Sequence, residues 1–240
     1  MTVAKFQLYD GRDPRAIPAY LLNEAAHYTG VPTGTLRGWV TGRTYQTAEG
    51  HTRSEPLVLL PQKGVPMLSF INLIEVHVLS AIRREHRIAM PRIRMALDYL
   101  SRQFHSKHPL AEHDLDTDGI DLFVEKYGEL INISRGGQLA IKEILKVYLQ
   151  RIERDENGLA RQLFPFTRAV SDINDPKVVG INPRIAFGKP VVAGTGVPTS
   201  IIAERYKTGE SISDIADDYR LQPGEIEEAI RYEFPFQAAA

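Results

Sequence analysis

The fold of this 240-residue chain is decided by the stretch Tyr20-Leu-Leu-Asn-Glu-Ala-Ala-His-Tyr-Thr-Gly-Val-Pro-Thr-Gly-Thr-Leu-Arg-Gly-Trp39. Its first half carries apolar residues at helical spacing, and Gly30 ends that helix because glycine readily adopts the left-handed conformation of a helix C-terminus. A second short helix is predicted from about residue 32 to residue 40, and Gly42 ends it. The stretch therefore predicts two short helices joined by a tight turn.

Residues 43–60 are predicted to form a hairpin. A strand over residues 43–47 leads to a turn near Glu49-Gly50, and residues 56–60 supply the return strand. Helix, turn, helix and hairpin in this order are typical of a winged helix-turn-helix, whose second helix enters the major groove of DNA. An irregular arm, residues 1–17, precedes it.

The charges are divided unequally along the chain. Residues 1–108 hold 14 Lys and Arg against 8 Asp and Glu, whereas residues 109–240 hold 15 against 22. Lys and Arg supply most of the sequence-independent affinity for DNA phosphates, so only the first half is expected to bind nucleic acid. The chain has no cysteine, no secretion signal and no apolar run of about 18 residues, which predicts a cytoplasmic protein without a membrane segment.

The middle of the chain is predicted to be helices and a second hairpin. Ser69 can cap a helix that is apolar around most of its circumference up to residue 82, which fits either a dimer contact or a buried core helix. A helix beginning at Pro91 follows it. Residues 120–125 and 127–134 are interpreted as a hairpin, and residues 139–152 as an amphipathic helix.

The last part of the chain is predicted to be three short helices after an entry rich in glycine and proline. Thr199 and Ser211 can cap the first two helices, and Pro223 opens the third. The predicted fold class is mainly α with short β-hairpins, comprising an N-terminal winged helix-turn-helix and a C-terminal trihelical domain. The predicted divisions are a DNA-binding head, a middle region for dimerisation and a C-terminal module, over residues 1–64, 65–160 and 165–240.

The helix-turn-helix resembles the DNA-binding head of MerR-type regulators. The resemblance lies in Glu24-Ala25-Ala26, Thr29-Gly30-Val31, Thr35-Leu36-Arg37 and Trp39. It implies that the second helix faces the major groove and that the wing reaches phosphates. The expected DNA-binding residues are Thr33, Thr35, Arg37, Arg43, Tyr45, His51 and Arg53. The alternative is a small domain that binds only protein, but the basic half and the wing favour DNA.

Two glycines, Gly34 and Gly38, lie one turn apart on the second helix. Each costs a helix about 1 kcal/mol relative to alanine. A bare helix face suits the close approach of another group, and a DNA phosphate is one candidate.

The last domain resembles an antitoxin family long catalogued as a domain of unknown function. The matching motifs are Asn182-Pro183, Gly188-Lys189-Pro190, Gly194-Thr195, Pro198, Gly209-Glu210-Ser211 and Ile215-Ala216. Many members carry arginine where this chain has Gly196. A winged head with this tail looks like the long VapB-type antitoxins, which pair with VapC toxins, PIN-domain ribonucleases whose acidic pocket holds magnesium.

This resemblance implies two partners, operator DNA bound by a homodimer and a VapC-type PIN-domain toxin. An acidic metal pocket can be blocked by an inserted arginine or lysine, or simply covered. The expected toxin-binding residues are Arg184, Lys189, Arg205, Phe234 and Phe236. The alternative function is a MerR-like transcription regulator without a toxin, whose middle and tail dimerise or sense a small molecule.

Other patterns are interpreted as structural. The run Asp114-Leu-Asp-Thr-Asp-Gly119 with Glu125 fits a calcium-loop pattern, but a hairpin turn with solvated acids is expected instead. His77 on an apolar stripe is expected to be a satisfied core residue. No nucleophile–base pair and no metal-ligand set can be assembled, so no enzyme activity, cofactor or metal is predicted. The acidic helix that starts at Pro223 would repel phosphates and is not expected to bind DNA.

Overall fold

The computed structural model describes residues 9, 11–47, 50–85, 90–111, 115, 118–131, 135–168 and 174–234. Helices dominate, and the strands form short antiparallel pairs, which confirms the predicted fold class. No helix in these ranges is both long and apolar enough to cross a membrane.

The head begins with the predicted helix-turn-helix. Strand β1 (Tyr20–Leu21) leads into α1 (Leu22–Thr29), and α2 (Thr33–Thr41) follows the turn. The wing consists of β2 (Thr44–Thr47) and β3 (Gly50–Arg53), and β4 (Met67–Leu68) pairs with β1.

The return strand of the wing differs from the prediction. It is β3, whereas residues 56–60 form no strand. The backbone N–H groups of Leu57 and Val58 both donate to the carbonyl of Trp39, and Val58 is fully buried. This apolar run therefore packs beneath α2 instead of pairing with the wing. Gly50 opens β3, while Glu49 lies outside the described residues.

Four helices build the middle: α3 (Phe70–Glu85), α4 (Met90–Phe104), α5 (Asp118–Ile131) and α6 (Arg135–Leu149). The predicted cap of α3 is confirmed, because the Ser69 hydroxyl accepts from the N–H of Asn72 at 3.2 Å. Helix α3 is buried on all sides within one chain, with Leu73, Val76 and Leu79 each at most 1% exposed. Of the two interpretations of this apolar helix, the core helix is the one the structure shows.

The predicted second hairpin is wrong, since residues 118–131 form α5. Its buried residues Ile120, Phe123 and Tyr127 follow a helical period, and the rings of Phe123 and Tyr127 stack one turn apart at 5.4 Å. In the sequence, Asp118-Gly119 favours a turn. In the structure Gly128 lets α6 approach, because a Cβ there would overlap the Gln138 side chain.

The tail combines a sheet with three helices. Strands β5 (Ile152–Arg154), β6 (Ala160–Leu163), β7 (Val179–Ile181) and β8 (Pro190–Val192) form one antiparallel sheet in chain order. The helices are α7 (Thr199–Lys207), α8 (Ile212–Tyr219) and α9 (Pro223–Glu233). The predicted helix 139–152 is α6, which starts earlier and stops at Leu149 because β5 follows it.

The caps of the tail helices agree only in part with the prediction. Ser211 caps α8, accepting from the N–H of Asp214 at 3.1 Å, and Pro223 opens α9. Thr199 is not a cap: it is the first residue of α7, and its buried hydroxyl hydrogen-bonds the carbonyl of Pro190 at 3.3 Å. That bond joins α7 to β8.

Arg151, directly after α6, ties the middle to the tail. Its side chain is 3% exposed and pairs with Asp175, which is completely buried, at 3.1 Å. The same guanidinium donates to the carbonyls of Phe164, Pro165, Asp175 and Pro176. Asp175 also accepts from the backbone N–H groups of Thr167 and Arg168. These bonds fix the segment that links β6 to β7.

We expect Arg151→Met to destabilise the protein by about 3–5 kcal/mol, because it leaves the buried Asp175 carboxylate without its cation. Urea unfolding measures the change. The control is Arg161→Met, whose side chain is 60% exposed and lies 3.7 Å from Glu153, since exposed ion pairs contribute about 0–1 kcal/mol. Equal effects of the two substitutions would contradict the role assigned to Arg151.

Candidate functional site

The turn between α1 and α2 has the close packing expected of a helix-turn-helix. Gly30 has φ 65°, and the N–H of Val31 bonds back to the carbonyl of Ala26 at 3.1 Å. Ala25 and Leu36 are completely buried, and Trp39 is 3% exposed. The two helices therefore cross closely and hold α2 in a fixed orientation.

Helix α2 exposes one face and buries the other. Thr33 and Arg37 are exposed and lie one turn apart. Thr35 was expected to face the groove, but it is only 7% exposed and lies on the face that packs against the core with Leu36 and Trp39. A buried hydroxyl cannot reach a base edge, so Thr35 is not one of the candidate DNA-binding residues.

The face of α2 formed by Gly34 and Gly38 is partly covered by the side chain of Arg43. A Cβ at Gly38 would overlap the guanidinium of Arg43, whereas nothing lies within 4 Å of a Cβ at Gly34. Arg43 also donates to the carbonyl of Gly34 at 3.4 Å. The glycines thus let an arginine side chain lie across the helix, and this arginine is what a phosphate approaching that face would meet.

The wing presents its polar residues on one face. Gln46 pairs with His51 and Thr44 with Arg53, and all four are exposed. Arg53 donates to the carbonyl of Thr41 at 3.1 Å, which connects the wing to the end of α2. Tyr45 pairs with Thr52 in the strand register, but its side chain is outside the described part.

Gly42 sets the angle between α2 and the wing. It has φ 76°, and a Cβ there would overlap the carbonyl oxygen of Ser54. Beside it, the N–H of Arg43 donates to the Ser54 hydroxyl at 2.9 Å and the N–H of Ser54 to the carbonyl of Arg43 at 2.8 Å.

Two more arginines border this surface and were not assigned to it from the sequence. The guanidinium of Arg83, on α3, lies 6.0 Å from the centre of the Trp39 ring, and Arg94, on α4, donates to the carbonyl of Glu55. In the described ranges, no carboxylate forms an ion pair with Arg37, Arg43 or Arg53. Arg37, Arg43 and Arg53 therefore form an exposed cationic surface on α2 and the wing. We call it the cationic face below.

The head is docked against the tail. Arg15 donates to Asp155 at 2.9 Å, and the Tyr9 hydroxyl donates to the carbonyl of Pro183 at 3.0 Å. On α1, His27 lies 3.7 Å from Glu233 at the end of α9. Burial raises the pKa of Glu233, but His27 and the hydroxyl of Thr199 outweigh that penalty and hold the pKa below its ordinary value.

The expected toxin-binding residues are separated by the structure. Arg184 and Lys189 are exposed, and Phe234 is 47% exposed. Arg205 is already engaged, since it pairs with Glu210 and Asp218 and lies 5.2 Å from the centre of the Tyr219 ring. An arginine held in this way would have to break both pairs before it could insert into a partner. Phe236 lies outside the described residues.

One exposed aromatic residue between Arg184 and Lys189 was missed. Phe187 is 72% exposed, more than any other large apolar side chain in the described ranges. Its φ is 56°, and the preceding Ala186 has φ 47°. A left-handed conformation costs an L-residue about 1–2 kcal/mol. In the sequence, Gly188 indicates a residue with positive φ, but it does not indicate that Ala186 and Phe187 also have positive φ.

The remaining structural interpretations have mixed outcomes. His77 is a satisfied core residue, as expected, because its Nε2 hydrogen-bonds the carbonyl of Tyr148 at 3.0 Å. In the calcium-loop pattern, Asp114 and Asp116 lie outside the described residues, while Glu125 is exposed on α5. The expected hairpin turn is absent because α5 begins at Asp118. Among the residues described, no group of three or more His, Asp or Glu could hold a metal ion.

Two known sequence families match the two ends of the chain. Residues 18–97 match the family described as "Putative DNA-binding HTH domain", and residues 179–232 match "Protein of unknown function (DUF433)". Together with the geometry above, these matches define a protein with a winged helix-turn-helix DNA-binding domain and a trihelical tail.

Relatives from Mycobacterium tuberculosis cover nearly the whole chain. "Putative antitoxin VapB45" is 32% identical over 231 residues, covering 89% of this chain and 93% of that protein. "Uncharacterized protein Rv2308" is 27% identical, covering 92% of each. The crystal structure of Rv2018 superposes with a TM-score of 0.63 at 27% identity, over 89% of this chain and 98% of that one. The chain belongs to the VapB45 antitoxin family.

We expect Gly42→Ala to destabilise the protein by about 1–3 kcal/mol, because it combines a left-handed backbone with a backbone overlap at Ser54. The control, Gly34→Ala, should have the opposite sign and stabilise by up to about 1 kcal/mol, since an exposed helical position gains from alanine. Chemical unfolding of both variants gives the comparison. If the Gly42→Ala variant is as stable as Gly34→Ala, Gly42 is not the residue that sets the angle between α2 and the wing.

Proposed function

We propose that this protein is the antitoxin of a type II toxin–antitoxin pair, which binds operator DNA through its head and neutralises a PIN-domain ribonuclease toxin through its tail. By binding its own operator it represses its own transcription. Family membership and the cationic face support this proposal. The cationic face is the observation that carries the DNA-binding part.

In this proposal α2 enters the major groove. Arg37 and Thr33 face base edges, while Arg43, His51 and Arg53 contact phosphates. Arg37 projects from a helix whose other face is locked into the core by Leu36 and Trp39, so its position is fixed before DNA arrives.

The operator is expected to have two half-sites, read by a homodimer. A helix-turn-helix that recognises a palindrome needs two heads related by a two-fold axis. The proposed dimerisation region is the middle of the chain, residues 65–160. Its exposed apolar side chains include Met95 on α4 and Leu139 on α6, at 53% and 62% exposure.

A regulator without a toxin is the second candidate. A cleft of about 650 Å³ lies between the turn of the helix-turn-helix and α9, lined among others by His27, Thr29, Phe166 and Tyr232. Its volume is in the range of small-molecule sites, about 300–1,000 Å³. Such a molecule would contact both the head and the tail, which is the arrangement a ligand-sensing regulator needs.

We expect Arg37→Ala to weaken binding to the DNA upstream of the gene by about 1–3 kcal/mol if Arg37 reads a base. Arg53→Ala should weaken binding to all sequences and reduce the salt slope by about 1, as the loss of one phosphate contact does. Fluorescence anisotropy over a salt series measures both. Arg161→Ala, an exposed arginine of the tail, is the control. Wild-type affinity in Arg37→Ala would exclude Arg37 from the interface.

The antitoxin part predicts that the protein co-purifies with the PIN-domain protein encoded beside it and suppresses that protein's RNA cleavage at a stoichiometric ratio. Cleavage of a labelled RNA, with and without the full-length chain, is the measurement. Undiminished RNA cleavage with this protein in excess would refute the antitoxin function. The second candidate function, a transcription regulator that has no toxin partner, would then remain. A reporter fused to the upstream DNA tests repression independently.

A further inference from the structure

The most exposed apolar side chain that the structure describes lies on a tight turn of the tail. Residues 184–189, named here the Phe187 turn, connect β7 to β8, and Phe187 at their tip is 72% exposed. Phenylalanine is mostly buried in folded proteins and is enriched at the centres of protein interfaces. An aromatic ring held in solvent at this point has no role in the core.

The turn holds this ring outward against the preference of its own backbone. Ala186, Phe187 and Gly188 have φ values of 47°, 56° and 79°, three left-handed residues in succession. Hydrogen bonds from the N–H of Gly188 to Ile185 and from the N–H of Lys189 to Ala186, at 2.9 and 3.1 Å, maintain the conformation. The side chain is therefore presented by a fixed, strained turn. Strained turns persist where the surrounding structure over-determines them, often at ligand-binding sites.

The head supports the turn from behind. A Cβ at Gly188 would overlap the hydroxyl of Tyr20, so the Tyr20 side chain of the head packs directly on this glycine. The Tyr9 hydroxyl donates to the carbonyl of Pro183, and the N–H of Arg184 donates to the Asn182 side chain at 2.9 Å. These contacts hold the backbone on both sides of Phe187 in place, so the turn has little backbone freedom to lose on binding, which favours affinity.

The charges beside Phe187 indicate the chemistry of the partner. Arg184 and Lys189, three residues before and two residues after Phe187, are exposed. No carboxylate of the described ranges is within ion-pair distance of either, and Arg184 has a longer-range electrostatic interaction with Asp13. Arg205, in contrast, has both its pairs within the tail. Two exposed cations around an aromatic ring complement an acidic surface that surrounds an apolar pocket.

We propose that the Phe187 turn is the docking point for the toxin: Phe187 enters an apolar pocket of that protein, and Arg184 and Lys189 pair with acidic groups around the pocket. This assignment rests on the proposed antitoxin function and specifies which surface performs it. A docking point clamped by Tyr9 and Tyr20 also places the toxin against the DNA-binding head.

The test measures the affinity of full-length variants for the PIN-domain protein encoded beside the gene. Phe187→Ala should weaken binding by on the order of tenfold to a hundredfold, as loss of a central aromatic anchor does. The control, Leu59→Ala, removes another exposed apolar side chain, one to which no binding role is assigned, and should leave the affinity unchanged. Exchange of both Arg184 and Lys189 for serine should slow association and flatten its salt dependence.

A third variant separates binding from folding. Phe187→Gly removes the ring and also the left-handed strain, so its unfolding midpoint should rise while its toxin affinity falls as far as that of Phe187→Ala. Loss of affinity together with higher stability cannot come from a damaged fold.

The failures of the two proposals are distinguishable. If the wild-type chain binds and inhibits the toxin and Phe187→Ala does so within about twofold, the docking assignment is overturned and the antitoxin function stands. If the wild-type chain does not bind the toxin, both are overturned. A Phe187→Ala variant that changes only self-association, measured by sedimentation, or only DNA affinity would assign the turn to a second copy or to DNA and overturn the proposal.

Discussion

The ion pair between Arg151 and Asp175 is the constraint on which the arrangement of this protein depends. Both side chains are buried, and together they satisfy carbonyls and N–H groups of residues 164–168 and 175–176. A lone buried charge is strongly unfavourable, so this segment can fold only where the guanidinium at the end of α6 meets it. The segment in turn fixes where β7 pairs with β6, and thus where the tail sits relative to the helical middle.

The position of the tail has a consequence for the head. The Tyr20 side chain packs on Gly188, and His27 of α1 meets Glu233 of α9, so the helix-turn-helix and the tail are in direct contact. A partner bound to the tail and a DNA site bound to α2 would therefore act on one connected structure. Such an arrangement allows either partner to affect the affinity for the other, since coupling between sites is reciprocal.

The sequence predicted the local features well where one short-range rule decided them. Gly30 ended α1, Ser69 and Ser211 capped their helices, and Arg37 and Arg53 are on the surface as their charges require. The prediction from sequence was wrong where one residue pattern is compatible with both a hairpin and a helix. Residues 118–131 combine β-branched and aromatic residues with two glycines, which favoured a hairpin, but packing between α4 and α6 selected the helix. The helical spacing of Ile120, Phe123 and Tyr127 was the sequence signal that could have distinguished the two outcomes.

The class of the head, the helical character of the tail and the separation of basic from acidic halves can be read from the amino-acid sequence, because they follow from residue types and spacings within a few turns of chain. The folded chain was needed to show that Thr35 is buried, that Arg43 covers Gly38, that Arg205 is held in ion pairs and that Phe187 projects into solvent. Each of these depends on residues brought together from distant or differently oriented segments. The burial of a side chain and its ion pairing depend on which segments pack together, and this cannot be read from the order of residues along the chain.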